Sequence, residues 1–346
     1  NSVSTLAKTG DRITLSITAV GAIQAPSVSI AGQTATVGSS SDNITWSAYY
    51  DMQSSDSEGT VSLNIGFSDL AGNAGDNVTS TTGNATSVLF DKTAPTLDNV
   101  TIASSNSVST LAKTGDNVTL SITSSEVIQT PTIMIAGQNT TETGSGTSWS
   151  GAYTMASNSE GTVSLRVDFS DLAGNAGTRV TSTTNSSAVQ FDRTSPTLNE
   201  ITPVPTPTSD NESYYTFSSD EAGTIAYGGS CSSSTTAAAA TNNTIRFTAM
   251  ADGTHDNCTI TVTDNASNTS NPLDVTDFTI GAVKPALVQI TPVLTPSNDN
   301  TSSYTFSSTE AGTITYGGSC SSDNTSATSD NNTVTFNALA DGTYEN

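Results

Sequence analysis

Apolar and polar residues alternate with a period of two along most of this chain. Ile13, Leu15 and Ile17 alternate with Thr14 and Ser16, and Val61, Leu63, Ile65 and Phe67 do the same over one run. Val118, Leu120 and Ile122, then Val163, Leu165, Val167 and Phe169, repeat both patterns further on. Later the pairs are Tyr215/Phe217, Ile225/Tyr227, Ile245/Phe247 and Ile260/Val262. Such alternation predicts half-buried strands with one face on a core. The Thr-rich positions between them suit an outer, solvated face. No window carries sustained helical periodicity with caps. Short strands separated by turn residues, about seven in each ~90–105 residues, predict β-sandwiches of immunoglobulin type. The expected fold class is therefore all-β, with tandem immunoglobulin-like β-sandwich domains in an extended array.

Internal repeats set the organisation. N-S-V-S-T-L-A-K-T-G-D at Asn1–Asp11 returns at Asn106–Asp116. S-D-L-A-G-N-A-G at Ser68–Gly75 returns at Ser170–Gly177, and F-D-K-T-A-P-T-L at Phe90–Leu97 returns as F-D-R-T-S-P-T-L at Phe191–Leu198. These define a unit of type A. A second unit, type B, carries I-T-P-V-P-T-P at Ile201–Pro207 and I-T-P-V-L-T-P at Ile290–Pro296, 89 residues apart. The match from Tyr215 to Cys231 recurs from Tyr304 to Cys320 at the same offset. Both types share E/D-G-T before an alternating run that ends in a D-x-A-x-N turn, so they read as one fold with different decoration. The expected domains are 1–95 (type A, first strand missing), 96–195 (type A), 196–283 (type B) and 284–346 (type B, C-terminal strands missing). The register of both ends inside a repeat reads as a window from a longer array.

Composition narrows the function. Among 346 residues, 9 Lys+Arg stand against 32 Asp+Glu, a net charge of −23, yet only 12% are charged. The acidity comes from missing bases rather than acidic tracts. A nucleic-acid surface is excluded, because phosphate neutralisation needs Lys/Arg clusters. No apolar run approaches the ~18 residues of a membrane span, and no stretch reads as a signal peptide. Low hydrophobicity alone would permit disorder; the alternation argues against it.

Three cysteines are present. Cys231 follows one predicted strand and Cys258 opens another, which makes them neighbours in an immunoglobulin topology and a predicted disulfide. Cys320 is the equivalent of Cys231, and its partner would fall just past the chain end. Paired cysteines in a small β-domain imply an oxidising compartment. Trp46 and Trp149 recur with a Tyr four residues on, and read as core anchors; a sugar-stacking platform is the competing reading. Asp341-Gly342-Thr343-Tyr344 resembles a tyrosine corner. His255, the only histidine, stands at the Tyr344 position in the earlier copy and reads as its structural substitute.

No metalloprotease, nucleophile-elbow, phosphate-loop or dinucleotide motif occurs. With one histidine, a Ser/His nucleophile pair is nearly excluded. Every notable motif occurs twice, whereas an active site would occur once. The Asx-rich turns carry the remaining chemistry. Calcium takes six to eight oxygen ligands. The turns Asp69/Asn73 and Asp171/Asn175 lie near joints marked by Asp91 and Asp192, with Asp98, Asp116 and Glu126 as further donors. These residues either satisfy turn backbone or hold calcium at the joints. N-x-S/T sequons are frequent and permit glycosylation.

The F-D-K-T-A-P joint, the G-D-x-V-T-L-S-I-T strand, the P-T-x-x-I-A-G strand and the S-D-L-A-G-N turn resemble bacterial Ig-like repeats of giant surface and secreted proteins. Type B, with T-F-S-S-x-E-A-G-T-I-x-Y-G-G-S-C and D-G-T-x-x-N-C-T-I-T-V-T-D, looks like another branch of them. The resemblance covers essentially the whole chain. It implies a non-enzymatic stalk or matrix spacer at the bacterial cell surface, with neighbouring domains or like chains as partners and host or surface glycans or proteins reached through modules elsewhere. It also implies Ca2+ at interdomain joints, carried here by Asp69, Asn73, Asp91, Asp171, Asn175 and Asp192. The B–B junction reads G-A-V-K-P at Gly281–Pro285 and lacks the joint motif. Two rivals remain: a protomer of a filament or surface layer of laterally packed domains, and a carbohydrate-binding accessory module of a secreted hydrolase.

Overall fold

A computed structural model describes residues 3–82, 87–281 and 285–344. Among them there is no helix, and so none long and apolar enough to cross a membrane. Each alternating run contributes a strand, although Val61, Phe67, Val163, Phe169 and Phe247 lie just outside theirs. The chain divides into two compact units. The first comprises Asn1–Thr197, Asp220–Thr224 and Val262–Asn271; the second comprises Leu198–Ser219, Ile225–Thr261 and Pro272–Asn346.

The second repeat shows the topology most fully. Its first sheet runs Leu97–Ser104, Asn117–Ser124, Ser148–Thr154, Thr141–Ser145, all antiparallel. This is the A-B-E-D order of an immunoglobulin domain. Facing it, Thr132–Ile135 lies between Gln138–Asn139 and Leu165–Asp168. Leu111–Ala112 pairs in parallel with Gln190–Phe191, which also pairs with Gly161–Thr162. The two sheets close on one another through Val100, Val118, Leu120, Ile133, Ile135, Val167 and Phe191, each at most 1% exposed. Val118, Leu120 and Val167 are among the residues that alternation assigns to the inner faces, whereas Leu165 from the same runs is only half-buried. The expected all-β immunoglobulin-like sandwich is the observed fold.

In the first repeat the corresponding sheet is Arg12–Thr18, Thr45–Asp51, Thr36–Val37. Here Ile13, Leu15 and Ile17 are only half-buried. Their counterparts Val118, Leu120 and Ile122 lie buried beside Leu97–Ser104, a strand with no equivalent among the described residues of the first repeat. Both tryptophans pack on cores: Trp46 is 8% exposed, and Trp149 lies against the second core with its Nε1 donating to the Gly146 carbonyl at 3.2 Å. The burial of Trp46 fits the core-anchor reading, and Trp149 is partly buried against its core. Gly72 and Gly174 sit at φ +94° and +88° in their D-x-A-x-N turns, a backbone region that a side chain would strain.

In the second unit, Leu198–Thr202, Tyr214–Ser219 and Asn242–Arg246 form one antiparallel sheet. Tyr215 and Phe247 stack with centroids 5.9 Å apart, and Phe247 stacks on Phe278 at 6.1 Å. The predicted disulfide is present between Cys231 and Cys258. Cys320 is a free thiol of intermediate exposure. In the last repeat, Leu287–Thr291, Ser303–Ser308 and Asp330–Thr335 repeat the same sheet order.

His255 does the work of the tyrosine. Tyr344 donates its hydroxyl to the Ala340 carbonyl, and His255 Nε2 lies 3.0 Å from the equivalent carbonyl of Ala251. Its Nδ1 lies 2.9 Å from Ser230 Oγ, and the ring stacks on Phe278. We expect His255→Tyr to change stability by less than about 1 kcal/mol. His255→Phe keeps a ring but leaves the carbonyl unpaired, and should cost about 1–3 kcal/mol. Urea unfolding monitored by tyrosine fluorescence compares the two variants.

Candidate functional site: two acidic joints

Two clusters of three carboxylates lie in the first unit. One is Asp91, Glu126 and Asp171; the other is Asp192, Glu221 and Asp264. In each, one oxygen per residue lies within 4.8 Å of the others. The clusters are built alike. Asp91 and Asp192 follow the last short strands of the first and second repeats, Leu89–Phe90 and Gln190–Phe191. Glu126 and Glu221 follow strands Asn117–Ser124 and Tyr214–Ser219 of the next repeat. Asp171 and Asp264 open the D-x-A-x-N turns.

The turns aim their acids. Asp171 accepts from the Asn175 backbone N–H at 2.8 Å and from Asn175 Nδ2 at 2.7 Å. Asp264 accepts from the Asn268 N–H at 2.8 Å and from its Nδ2 at 2.9 Å. The same amides reach across the joint: Asn175 Nδ2 donates to the Asp91 carbonyl at 3.0 Å, and Asn268 Nδ2 to the Asp192 carbonyl at 3.1 Å. Lysines add a second tie. Lys8 Nζ donates to the Gly174 carbonyl and Lys113 Nζ to the Ser267 carbonyl, both at 2.6 Å. Asp171 and Asp264 are buried, at 1% and 8% exposure.

The electrostatics of the clusters are unfavourable as they stand. Burial first, then repulsion from Asp171 and Glu58, raises the Asp91 carboxyl above its ordinary range. Burial, then Asp91 and Asp171, does the same to Glu126. Asp192 is raised by burial and by Asp264 and Glu160. Glu221 is pushed up to about 7 by burial, Asp192, Asp264 and Asp220. The described arginines pair elsewhere: Arg12 with Asp51, Arg166 and Arg179 with Asp168, Arg193 with Glu160, and Arg246 with Glu212. Glu58 and Glu160 hold the joint backbone, accepting from the Lys92 N–H at 2.9 Å and the Arg193 N–H at 3.2 Å, and also from the Thr93 and Thr194 hydroxyls.

Of the residues singled out in the sequence, Asp91 and Asp171 meet in the first cluster and Asp192 enters the second. Asn175 ties the first cluster together as a hydrogen donor. Asp69 and Asn73 form the same turn in the first repeat, with Asn73 Nδ2 donating to Asp69 at 2.7 Å. Among the described residues no further acid joins them in a cluster of three. Glu126 was legible only as one donor among several, whereas Glu221 and Asp264 were missed as a site. A signal existed: S-S-E at 124–126 and S-S-D-E at 218–221 place a glutamate at the same point of both repeats. Asp116 serves its own turn, accepting from Asn106 Nδ2 and the Lys113 N–H at 2.8 Å each. Gly281 occupies the place of Asp91 and Asp192 at the third junction: its N–H donates to the Thr208 carbonyl as that of Asp192 donates to Ala112.

No protein-family model matches the chain, and no curated protein matches it. Several solved structures do. A D1–D4 ectodomain fragment of ICAM-5 aligns at 15% identity over 80% of this chain and 74% of its own, with a TM-score of 0.34. The SGBP-B of the Bacteroides ovatus mixed-linkage glucan utilization locus, in complex with a mixed-linkage heptasaccharide, aligns at 16% identity over 82% and 66%, with a TM-score of 0.19. A marsupial T cell receptor aligns at 12% identity over 78% and 96%, with a TM-score of 0.31. Superposition this loose carries no argument about function. The immunoglobulin-like assignment rests on the sheet order itself.

Proposed function

We propose that this chain is a non-enzymatic structural segment of an extracellular cell-surface protein, a series of sandwiches whose first two junctions bind calcium. The observation that carries this reading is the duplication of one three-carboxylate cluster at two successive junctions. The donors are all hard oxygens, which suits Ca2+ rather than zinc. Ca2+ binds oxygen at 2.3–2.6 Å, so ligand atoms up to about 5 Å apart share one ion. Asp91, Glu126 and Asp171 would hold one ion, and Asp192, Glu221 and Asp264 another. A divalent cation there offsets the burial and the repulsion that raise four of the six carboxyls, and ties each linker to the next repeat.

The disulfide supports an oxidising compartment. The motif resemblance to bacterial Ig-like repeats supports a stalk or matrix spacer, with target binding left to other modules. A depression beside Glu160, lined by Ser159 and Ser164, offers no general base: its glutamate already holds Thr194 and the Arg193 N–H.

Small-angle scattering of the full chain tests the mechanical part. Adding Ca2+ to chelator-treated protein should narrow the distribution of end-to-end distances. An unchanged distribution would remove calcium stiffening while leaving the fold intact.

A further inference from the structure

We propose that the outer surface of this chain carries N-linked glycans on a defined set of asparagines. The inference goes beyond the proposed function and shares with it only the extracellular location. The sequence holds 15 N-x-S/T sequons among 28 asparagines. Ser and Thr occupy 116 of 346 positions, so about nine sequons would arise by chance from this composition.

The structure separates the sequon asparagines from the others. Asn84 lies outside the described residues. Of the fourteen that remain, thirteen are exposed, and Asn268 alone is buried. None of the thirteen uses Nδ2 as a donor to any described residue. Their side chains act, if at all, through Oδ1: Asn257 Oδ1 accepts from the Ser230 N–H, and Asn324 Oδ1 from the Ser326 N–H. The asparagines outside sequons behave differently. Six of the eleven described ones, Asn73, Asn106, Asn175, Asn243, Asn332 and Asn337, commit Nδ2 to a hydrogen bond within the fold. Structural amides and sequon amides are thus nearly separate sets.

That partition is what attachment requires. Transfer forms a bond between Nδ2 and the sugar C1 and breaks the C1–O bond of a polyisoprenyl-diphosphate-linked oligosaccharide. The lipid diphosphate leaves with the electron pair, Nδ2 gives up one proton, and nothing is oxidised or reduced. The product amide keeps one N–H. An exposed Nδ2 without a protein partner loses nothing. Asn268 would lose one of the two N–H bonds it makes to Asp264 and to the Asp192 carbonyl, and a sugar would have to sit in a buried joint. The thirteen sites are therefore assigned as acceptors, and Asn268 as a sequon that the folded chain leaves bare.

Peptide mass mapping of the full chain, recovered from the surface or culture fluid of the organism that makes it, tests this. Hexose-containing masses are expected on peptides bearing sites such as Asn43, Asn117, Asn139 and Asn242, and none on Asn268 or on Asn64, Asn158 and Asn199, which lie outside sequons. Thr119→Ala, which removes the hydroxyl two residues after Asn117, should abolish the sugar there and leave Asn139 modified. A surface-exposed chain without sugar on any of the thirteen would overturn the proposal without touching the calcium reading. Occupancy of Asn268 equal to that of the exposed sites would also overturn it, because accessibility of Nδ2 would then select nothing.

Discussion

Calcium is expected to raise the unfolding free energy of the first unit by about 5 kcal/mol at pH 7.5. The figure follows from mass action: a ligand at 100 times its Kd contributes about 2.7 kcal/mol per site, and two sites are assigned. The effect should depend on pH with a definite sign. Without cation, the raised carboxyls of Asp91, Glu126, Asp192 and Glu221 favour their protonated forms in the folded state. Their contribution to stability is therefore complete below the ordinary carboxylate range. It is lost as pH rises, for Glu221 through about 7. With Ca2+ the carboxylates are held ionised, so that loss disappears. Chelated protein should melt lower at pH 7.5 than at pH 5, whereas calcium-loaded protein should show no such decline. Glu221→Gln sharpens the test. It removes repulsion, so it should raise the midpoint in chelator and lower the gain from calcium. Melting scans of the wild type and variant, each with chelator and with Ca2+, at both pH values read out the whole scheme. A calcium gain that is the same at pH 5 and pH 7.5 would contradict it.

Removing the disulfide should be the largest single change in the second unit. Cys231 and Cys258 close a loop of sequence separation 27. The loop-entropy relation gives about 3–4 kcal/mol for a loop of that size. Cys231→Ser/Cys258→Ser should therefore unfold at markedly lower denaturant concentration, and reductant should have the same effect on the wild type. The first two repeats should be indifferent, since neither contains a cysteine. Denaturant titrations followed by tryptophan for the first unit (Trp46, Trp149) and by tyrosine for the whole chain separate the two. Equal transitions with and without reductant would refute the assignment.

Much of the fold was legible because alternation maps directly onto sheet faces. Val118, Leu120 and Ile122 are inside where a period of two says they must be, and Trp149 packs where its repeat partner Trp46 packs. The half-burial of Ile13, Leu15 and Ile17 was not legible in their own run, only in the missing first strand of their repeat. It depends on which strand lies beside them, a property of neighbours rather than of the run itself. The joints show the same division. Asp91, Asp171 and Asp192 sit in motifs that recur, so the eye finds them. Glu126 and Glu221 stand in loops whose motif varies, and they meet their partners only because a loop after one strand, a turn after another and a linker converge in space. The asparagines of the turns were read as oxygen donors; the fold uses the Nδ2 of Asn175 and Asn268 to fasten the linker carbonyl. His255 was readable in role from alignment with Tyr344, although its second contact, to Ser230, comes from a hairpin that no spacing rule connects to it.

Calorimetric titration of the chelator-stripped full chain with Ca2+ tests the central claim most directly. The account predicts saturable binding of two ions in the submillimolar to millimolar range usual for extracellular modules. Asp171→Asn and Asp264→Asn should each remove one ion and leave the other in place. No saturable binding at millimolar calcium, or two ions still bound by the Asp171→Asn/Asp264→Asn double variant, would contradict it.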